Sequence, residues 1–254
     1  MQQERRHRVI LEMINNQDFL SVHEIVTKCN ASEITARRDL ALLESKNLII
    51  RTHGGAVKSK ATDNLFNYNL KINENAEQKI SICRKASEFI CNNDIIFIDC
   101  GTTLIHLTKF ITRFDSLTVI TNSLPVVSEL INFSKIKLII IGGEAIGERK
   151  AIYGTVAERS IGQYHADKAF IGATGVSVLK GLTSSDENES AITLKMAENA
   201  DQVFLLCDSS KIERNSFVQF APLSKINYLI TDEGIEESLI NAYKEHNVSI
   251  IKAP

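Results

Sequence analysis

Arg37 and Arg38 stand side by side in the segment 32–40, and they are the residues of this chain best suited to contacting nucleic acid. Arginine side chains hold phosphates and pair with guanine edges in the major groove, and here Thr35 adds a small polar neighbour. The segment therefore predicts a surface that contacts DNA. A solvated helix with a charged face is the alternative, and the segment alone leaves both open.

A second set of residues that could bind a ligand lies in the loops that follow apolar segments in the C-terminal part of the chain. Glycine lets the backbone approach a ligand, and hydroxyls and amides at a helix start favour an anion. Each loop alone is more often a plain turn and helix cap, but together they predict a small phosphorylated ligand. The candidates are Asp99, Gly101, Thr102, Thr103, Thr121, Asn122, Ser123, Gly142, Gly143, Gly172, Gly175, Asp208 and Lys211.

Motifs for several other kinds of site are missing from the sequence. No G-x-G-x-x-G segment follows a predicted strand and no Walker loop occurs, so a dinucleotide or a nucleoside triphosphate is not expected. The cysteines are scattered and form no C-x-x-C pair, which argues against a disulfide framework or a zinc site. We expect neither a cofactor nor a metal. The cysteines are Cys29, Cys83, Cys91, Cys100 and Cys207.

Composition and charge favour a soluble protein with two parts that differ in function. The chain has 254 residues, of which 44% are apolar and 24% charged. Residues 1–60 hold ten Lys and Arg against seven Asp and Glu, a balance of +3, and the remainder holds 19 against 24, or −5. A basic N-terminal segment fits a nucleic-acid module. Because no apolar run resembles a leader or a membrane span, we expect a cytoplasmic protein.

Two helices are predicted before the arginine segment. Residues 3–16 carry apolar side chains on one face, and Asp18 is expected to end that pattern. Ser21 and Glu24 match a capping box, in which a serine and a glutamate three residues later satisfy each other's backbone amides. The second helix that they begin is expected to end near Cys29.

The arginine segment itself predicts a third helix, over residues 32–45. Ser32 can cap its first turn, and Ile34, Leu40 and Leu43 recur at roughly helical spacing and predict a buried stripe. Three short helices in this order, the last two closely joined, make a helix-turn-helix.

The segment 48–57 predicts a β-hairpin, because isoleucine and threonine favour a strand and two adjacent glycines favour a reversal. A hairpin directly after a recognition helix is a wing, and Arg51 and His53 lie where a wing contacts the DNA backbone or minor groove. For His53, a hydrogen bond to its own backbone in the turn is an equal alternative. The DNA-binding candidates are Ser32, Thr35, Arg37, Arg38, Arg51, His53 and Gly54.

The rest of the chain predicts a connector and a second domain. Residues 58–75 are polar and aperiodic, and we expect them to link a DNA-binding domain, 1–57, to a domain over 76–254. From there apolar strand segments alternate with helical ones, which predicts an α/β domain with a mainly parallel sheet. In such sheets the ligand lies beyond the carboxyl ends of the strands. Strands are expected at 95–99, 117–121, 137–141, 169–172, 203–207, 228–231 and 248–251, with helices near 103–112, 124–132, 155–162, 187–200 and 235–246.

The segment 35–40, followed by Leu43 and Glu44 and then by the segment 51–56, closely resembles the DNA-binding signature of the DeoR family of bacterial transcription regulators. The strand-end loops look like the effector domain of the same family, in the same order. The resemblance implies a fold similar to sugar-phosphate isomerases and a phosphorylated sugar as inducer. The loops that carry it are 99–103, 121–123, 142–143, 167–172 and 208–211.

The sequence departs from the family pattern at two places that border the expected pocket. The family usually has paired acidic residues followed four positions later by a lysine. Glu189 fits the acidic position and joins the effector-binding candidates, but Thr193 stands where the lysine is expected. After Lys211 the family often has Phe-Gly, whereas this chain has Ile212 and Glu213. Both changes bear on which effector is bound.

The whole pattern predicts a DNA-binding repressor of a carbohydrate-catabolism operon, modulated by a phosphorylated sugar. Its partners would be double-stranded operator DNA and that sugar, with no membrane. Two recognition helices one DNA turn apart require at least a dimer, so we expect a homo-oligomer, either a dimer or a tetramer.

Two other functions stay open. One is a sugar-phosphate isomerase-like enzyme that carries a DNA-binding domain, with Asp99 or Glu189 as its base. His106 and His165 are isolated in sequence, and no Ser/His/Asp or Cys/His signature is present, so we do not expect an enzyme. The other is a DNA-binding scaffold with an empty second domain, against which the polar loops count.

Overall fold

The computed structural model describes residues 3–15, 17, 19–45, 48–58, 68 and 71–254. Most of the predicted connector, and Asp18, lie outside the described residues. The chain divides into two compact units, residues 1–70 and 71–254. The finer domain boundaries at residues 57 and 76 remain predictions. Among the described residues, no helix has both the length and the apolar character that crossing a bilayer requires.

Within residues 3–58, the described part of the N-terminal unit contains helices and a small antiparallel sheet, in which β3 lies between β1 and β2. The predicted capping box is confirmed at the start of the second helix, where the Glu24 amide donates to Ser21 Oγ at 3.2 Å and the Ser21 amide donates to Glu24 Oε2 at 2.8 Å. The elements are α1 (Gln3–Asn15), β1 (Phe19–Ser21), α2 (Val22–Cys29), α3 (Glu33–Ser45), β2 (Ile49–Thr52) and β3 (Gly55–Lys58).

The predicted buried stripe of α3 is wrong at its first member. Ile34 is 81% exposed, and Ala36, Asp39, Leu40 and Leu43 face the core instead. These four positions follow the i, i+3, i+4, i+7 spacing of one helix face. Ile34 lies two residues before Ala36, which places it on the opposite side of the helix from that stripe.

The C-terminal unit confirms an α/β domain. Its central sheet has seven strands in the order β15-β14-β12-β9-β4-β5-β6, and every neighbouring pair is parallel. Those strands are β4 (Ile95–Ile98), β5 (Leu117–Thr121), β6 (Ile136–Ile140), β9 (Ala166–Ile171), β12 (Ala200–Leu206), β14 (Tyr228–Asp232) and β15 (Ser249–Ala253). The helices are α4 (Ala76–Ala86), α5 (Thr108–Ile111), α6 (Leu124–Leu130), α7 (Thr155–Ile161), α8 (Glu187–Glu198) and α9 (Glu237–Glu245).

Both faces of the central sheet are covered, which explains why β4 is an unbroken apolar run. Phe97 belongs to one apolar cluster, and its neighbours Ile96 and Ile98 belong to a second cluster. Ile82 of α4 packs in the second cluster, and Met196 of α8 packs in the first. The sheet thereby fixes the carboxyl ends of its strands in one rigid row.

Short antiparallel strands that the sequence pattern did not predict lie beside this row. A hairpin joins β7 (Glu144–Ile146) to β8 (Ala151–Tyr153), and a separate sheet has the order β10-β11-β13. The strands of that sheet are β10 (Gly175–Ser177), β11 (Gly181–Ser184) and β13 (Val218–Ala221). Runs of three or four residues are too short for a period-two pattern to stand out.

Candidate DNA-binding surface and ligand site

The exposed face of α3 carries the two arginines that the sequence singled out. Arg37 and Arg38 are both exposed. The Arg37 guanidinium donates to Glu33 Oε1 at 2.7 and 3.0 Å, a pair four residues apart on the same helix. Arg38 makes no side-chain hydrogen bond or ion pair within the described chain. It therefore presents an uncommitted cation, and Arg37 presents one that an exposed carboxylate orients.

Ser32 caps α3 as the sequence predicted. Its Oγ accepts a hydrogen bond from the Thr35 amide at 3.2 Å and lies 2.8 Å from Thr35 Oγ1. A serine cap satisfies an amide that the first helical turn leaves free. Thr35 is half-buried rather than fully exposed, because its side chain turns back towards the cap.

The predicted hairpin is present, with His53 and Gly54 in its turn between β2 and β3. The Gly54 carbonyl accepts a hydrogen bond from the Val22 amide at 3.0 Å, which ties the turn to the start of α2. Arg51 is exposed and its guanidinium lies 3.5 Å from Glu44 of α3. The exposed His53 side chain makes no hydrogen bond to the backbone of the described chain.

Asp39, which directly follows the two arginines in the chain, makes its contacts with α1. Its carboxylate is buried and accepts hydrogen bonds from Arg6 Nε at 2.8 Å and from Arg6 Nη2 at 3.2 Å, and it lies 3.0 Å from His7 Nε2. Burial works against the charged form, yet the bonds from Arg6 and His7 lower the pKa of Asp39 overall. Asp39 therefore fastens α3 to α1.

In the C-terminal unit, the carboxyl ends of the strands bring together several predicted effector residues. Asp99, just past β4, is buried, and its Oδ2 accepts from the Gly172 amide at 3.2 Å and from Thr193 Oγ1 at 3.1 Å. Gly101 also lies against Gly172, since a Cβ on Gly101 would stand 3.9 Å from the Gly172 Cα. The loops after β4 and β9 and the helix α8 therefore meet at Asp99.

Glu189 lies near this carboxylate and holds a partner that the sequence did not point to. Ser184 Oγ donates to Glu189 Oε2 at 3.1 Å, and the Arg149 guanidinium lies 3.5 Å from the same carboxylate and 3.7 Å from Asp186. Burial, followed by the negative charge of Glu189, raises the pKa of Asp99 to about 6. Asp99 therefore lies in an environment that disfavours its charge.

Cations gather around the loop after β4. The buried Lys79 on α4 donates to Thr102 Oγ1 at 3.3 Å and to the carbonyl oxygen of Lys71. Burial, and then the positive charge of Lys211, lowers the pKa of Lys79 to about 8. Burial lowers the pKa of Lys71 as well, with Lys211 and Arg149 adding to the effect. Cations that repel one another in this way would be stabilised by an anion.

Lys79 was missed by the sequence interpretation, although a signal for it existed. It shares the buried face of α4 with Ile82, Cys83 and Ala86, at the spacing of one helical stripe. A lysine on an apolar stripe is unusual, because burying an ammonium group costs free energy unless it is paired. Lys71 and Arg149 carry no comparable signal, since both are brought in by loop geometry.

Asp208 and Lys211 occupy the turn after β12. The buried Asp208 carboxylate accepts from Asn75 Nδ2 at 3.1 Å and from Ser210 Oγ. Asp208 therefore has hydrogen-bond partners within the protein. The positive charge of Lys211 acts on Lys71 and Lys79, whose pKa values it lowers.

Structural roles account for other predicted site residues. Thr121 Oγ1 donates to the Ile98 carbonyl at 2.6 Å, and Ser123 caps α6 through the Val126 amide at 3.4 Å. A Cβ on Gly143 would lie 2.6 Å from the Tyr153 carbonyl oxygen, and one on Gly175 would lie 2.4 Å from the Arg214 carbonyl oxygen. Gly142 has open space around it.

Two of the predicted effector-binding residues have a buried polar atom without a hydrogen-bond partner. Thr103 Oγ1 and Asn122 Oδ1 are buried and have no hydrogen-bond partner within the described chain. Buried polar atoms without partners are rare, so each of these is a position where a ligand atom would be stabilised. The described residues contain no cluster of three or more His, Cys, Asp or Glu side chains able to hold a metal.

Comparison with known families matches both halves of the chain. The DeoR-like helix-turn-helix domain matches residues 6–62, and the DeoR C terminal sensor domain matches residues 74–233. The second match alone spans more than half of the chain.

Three curated relatives align with nearly the whole chain. The HTH-type transcriptional repressor GlcR of Bacillus subtilis is 33% identical over 251 residues, covering 99% of this chain and 96% of that protein. The L-fucose operon activator of Haemophilus influenzae is 32% identical, covering 97% and 98%. The glycerol-3-phosphate regulon repressor of Escherichia coli is 30% identical, covering 98% and 99%.

Among solved structures, ribose 5-phosphate isomerase A of Methanocaldococcus jannaschii is similar to part of this chain. The TM-score is 0.40 at 16% identity, over 54% of this chain and 55% of that one. A likeness of this size does not bear on function.

Proposed function

The chain belongs to the DeoR family of transcriptional regulators, and from that premise we propose that it represses a carbohydrate operon and is released from its operator by a phosphorylated sugar. The observation that carries the sensing half is the buried Lys79 bonded to Thr102, with Lys211 and Lys71 close enough to lower its pKa. A phosphate group at this place would relieve the repulsion among the three lysines.

The DNA-binding half rests on α3 and the hairpin behind it. Arg38 would contact a phosphate or a guanine edge directly, and Arg37 would do so from the geometry that Glu33 imposes. Arg51 and His53 would contact the backbone or the minor groove from the wing. Ser32 and Thr35 hold the first turn of the helix in the shape that enters the groove.

Repression relieved by the sugar is proposed because two of the three relatives described above are named repressors, one of them of the glycerol-3-phosphate regulon, whereas the third is named an activator of the L-fucose operon. Release follows from linkage, since a ligand that prefers the arrangement unable to bind DNA must weaken DNA binding. We also propose that the protein acts in the cytoplasm as a homo-oligomer, because an operator read by two recognition helices needs two copies.

We propose that the protein has no enzymatic turnover. Burial, then the charges of Lys109 and Lys79, lowers the pKa of His106 to about 4, so this histidine is neutral and a poor acid near pH 7. His165 is exposed and pairs with Asp201 at 2.9 Å. Of the two candidate bases, Asp99 already accepts three hydrogen bonds from the protein. Glu189 accepts one from Ser184, and its carboxylate lies 3.5 Å from the Arg149 guanidinium.

The test is fluorescence anisotropy of the full chain on DNA from upstream of its own operon, with phosphorylated and unphosphorylated sugars added in turn. We expect tight, salt-dependent binding that a phosphorylated sugar weakens and its unphosphorylated counterpart does not. If unphosphorylated sugars act equally, the proposed phosphate contact is wrong. Chemical conversion of the active sugar during the assay would revive the isomerase alternative.

A further inference from the structure

Asp99 is a buried carboxylate that no cation of the described chain contacts. Its Oδ1 accepts from the Cys100 amide at 2.7 Å, and its Oδ2 accepts from the Gly172 amide and the Thr193 hydroxyl at 3.2 and 3.1 Å. All three donors are neutral. A buried carboxylate held only by neutral donors lacks the opposite charge that buried ions ordinarily require.

The charges near Asp99 do not supply the missing positive charge. The charged group that acts on it is Glu189, which has the same sign. The Arg149 guanidinium is engaged with Glu189 at 3.5 Å and with Asp186 at 3.7 Å, and it makes no ion pair with Asp99. The site therefore has a positive region around Lys79 and Lys211 and a separate acceptor-rich region around Asp99.

A second, independent acceptor lies in the same region. Asn122 is fully buried, and its Nδ2 donates to the Ile152 carbonyl at 3.1 Å. Because that carbonyl can only accept, the amide orientation is fixed, and Asn122 Oδ1 is left without a donor among the described residues. Ile98 pairs with Thr121 in the sheet, so Asp99 and Asn122 directly follow two neighbouring strands at the same sheet edge.

Thr193 is the position that leaves this region short of positive charge. The family resemblance predicts a lysine there, and an ammonium group at the position of the Thr193 hydroxyl would contact Asp99 directly. Threonine supplies one hydrogen bond and no charge. The missing cation then has to come from outside the chain.

We propose that the effector is an amino sugar phosphate, with its ammonium group beside Asp99 and Asn122 and its phosphate beside Lys79 and Thr102. Asp99 and Thr102 are three residues apart in one loop, so their Cα atoms are at most about 11 Å apart, a span on the scale of a phosphorylated hexose. Charge-assisted hydrogen bonds to a buried carboxylate are strong, so the amino group would set specificity. The inference rests on the proposed sensing of a sugar phosphate.

The test is calorimetric titration of the full chain with matched pairs of ligands. Glucosamine, galactosamine and mannosamine 6-phosphates are compared with the corresponding hexose 6-phosphates at pH 7.5. We expect at least one amino sugar phosphate to bind at least about tenfold more tightly than its hydroxyl counterpart. Equal or tighter binding of every hydroxyl counterpart would overturn the inference and leave the proposed sugar-phosphate sensing standing. Binding of none of the six would overturn the inference, and the anisotropy assay with other phosphorylated sugars then tests the sensing proposal separately.

Two variants of one residue sharpen the result. Thr193→Lys supplies the missing ammonium group, and we expect it to abolish or reverse the preference for the amino sugar. Thr193→Val has nearly the same shape but adds no charge, so the preference should persist. If Thr193→Lys kept the full preference while binding the phosphate normally, Asp99 would not be the group that recognises the amine. The wild-type comparison stands even if a variant fails to fold.

Discussion

Asp39 lies beside the proposed DNA-contacting arginines but faces the interior of the N-terminal unit. Its carboxylate lies inside the N-terminal unit, 1% exposed, and contacts Arg6 and His7 of α1. Truncating one member of a buried ion pair leaves the other charge without compensation. We therefore expect the position of α3, and with it that of the exposed Arg37 and Arg38, to depend on this contact.

Asp39→Ala is expected to destabilise the N-terminal unit by about 2–4 kcal/mol, because the partly buried Arg6 loses its carboxylate. Hydrogen exchange of the α3 amides measures this unit separately from the larger one. The control is Glu33→Ala, which breaks an exposed pair with Arg37 and should cost less than about 1 kcal/mol. Equal protection of α3 in the two variants would contradict the role given to Asp39.

Asp99 predicts a pH dependence of stability whose sign is opposite to that of an ordinary paired carboxylate. Its pKa rises to about 6 in the folded protein, from about 4 in the unfolded chain, so the folded state binds the proton more tightly. Stability from this group is therefore greatest below pH 4 and falls as the pH rises towards 6. The change over that window is on the order of 2–3 kcal/mol, since one pKa unit corresponds to about 1.4 kcal/mol.

Asp99→Asn should remove this dependence. We expect urea unfolding of ligand-free protein at several pH values to show this. Between pH 4 and pH 7, the free energy of unfolding of the variant should rise relative to that of the wild type by roughly 2–3 kcal/mol. The comparison uses the change with pH, so a constant cost of the substitution does not matter. A difference between the two proteins that stays flat over this range would show that Asp99 is already ionised at pH 4.

At the scale of the element, α3 brings the cap, the pair with Glu33 and the two arginines onto one rigid surface. Arg38→Ala is expected to weaken operator binding by about 1–3 kcal/mol if the side chain reads a base, with relaxed specificity at that position. If it contacts a phosphate, the loss should instead be similar for all sequences and the salt slope should fall by about one. Anisotropy titrations at four salt concentrations distinguish the two cases.

The matched control is Arg159→Ala, which removes an exposed arginine from α7 in the C-terminal unit. It should leave both affinity and salt slope unchanged. An Arg38 variant that behaved like this control would remove α3 from the proposed contact surface.

How far the sequence could predict these elements depends on whether the signal is local. Ser21 and Ser32 cap helices through amides three residues away, so their roles were predictable. The burial of Ile34 was mispredicted because the core face of α3 is set by packing against α1, α2 and β2, and the small Ala36 and the charged Asp39 belong to that face. A stripe that includes a charged residue cannot be recognised from apolar spacing alone.

The ligand site shows the same limit more strongly. The loops after the parallel strands were predictable, because the carboxyl ends of such strands share one edge. Thr193 meets Asp99 across 94 positions of sequence, and Arg149 reaches Glu189 from the loop of an antiparallel hairpin. No periodicity in the sequence encodes such contacts. Lys79 could have been predicted from the sequence, as a lysine on the buried stripe of α4.

At the scale of the whole molecule, positive and negative charge are distributed unevenly between the N-terminal and C-terminal parts of the chain. Residues 1–60 carry a balance of +3, and the remainder carries −5. Because an acidic body is repelled by phosphates, contact with DNA is favoured only through the N-terminal part. The proposed anion contact in the C-terminal part instead depends on Lys79, which is buried.

Linkage between the two parts gives the last prediction, for Lys79→Met. The substitution keeps the length of the buried side chain but removes the ammonium group that contacts Thr102. Operator affinity without effector should stay within about twofold of the wild type, because α3 and the wing are unchanged. In the wild type, saturating effector should weaken operator binding by about 5–150-fold, the usual range of allosteric coupling, and in the variant this response should be lost at the same concentration.

Lys244→Met is the control, since it removes an exposed lysine from α9 with the same change of charge. It should respond to the effector as the wild type does. The coupling is reciprocal, so operator DNA must weaken effector binding to the wild type by the same factor that effector weakens operator binding. Calorimetry with and without operator measures that factor independently. An effector response that survives in Lys79→Met at unchanged concentration would place the phosphate away from Lys79, even if regulation by a sugar phosphate is correct.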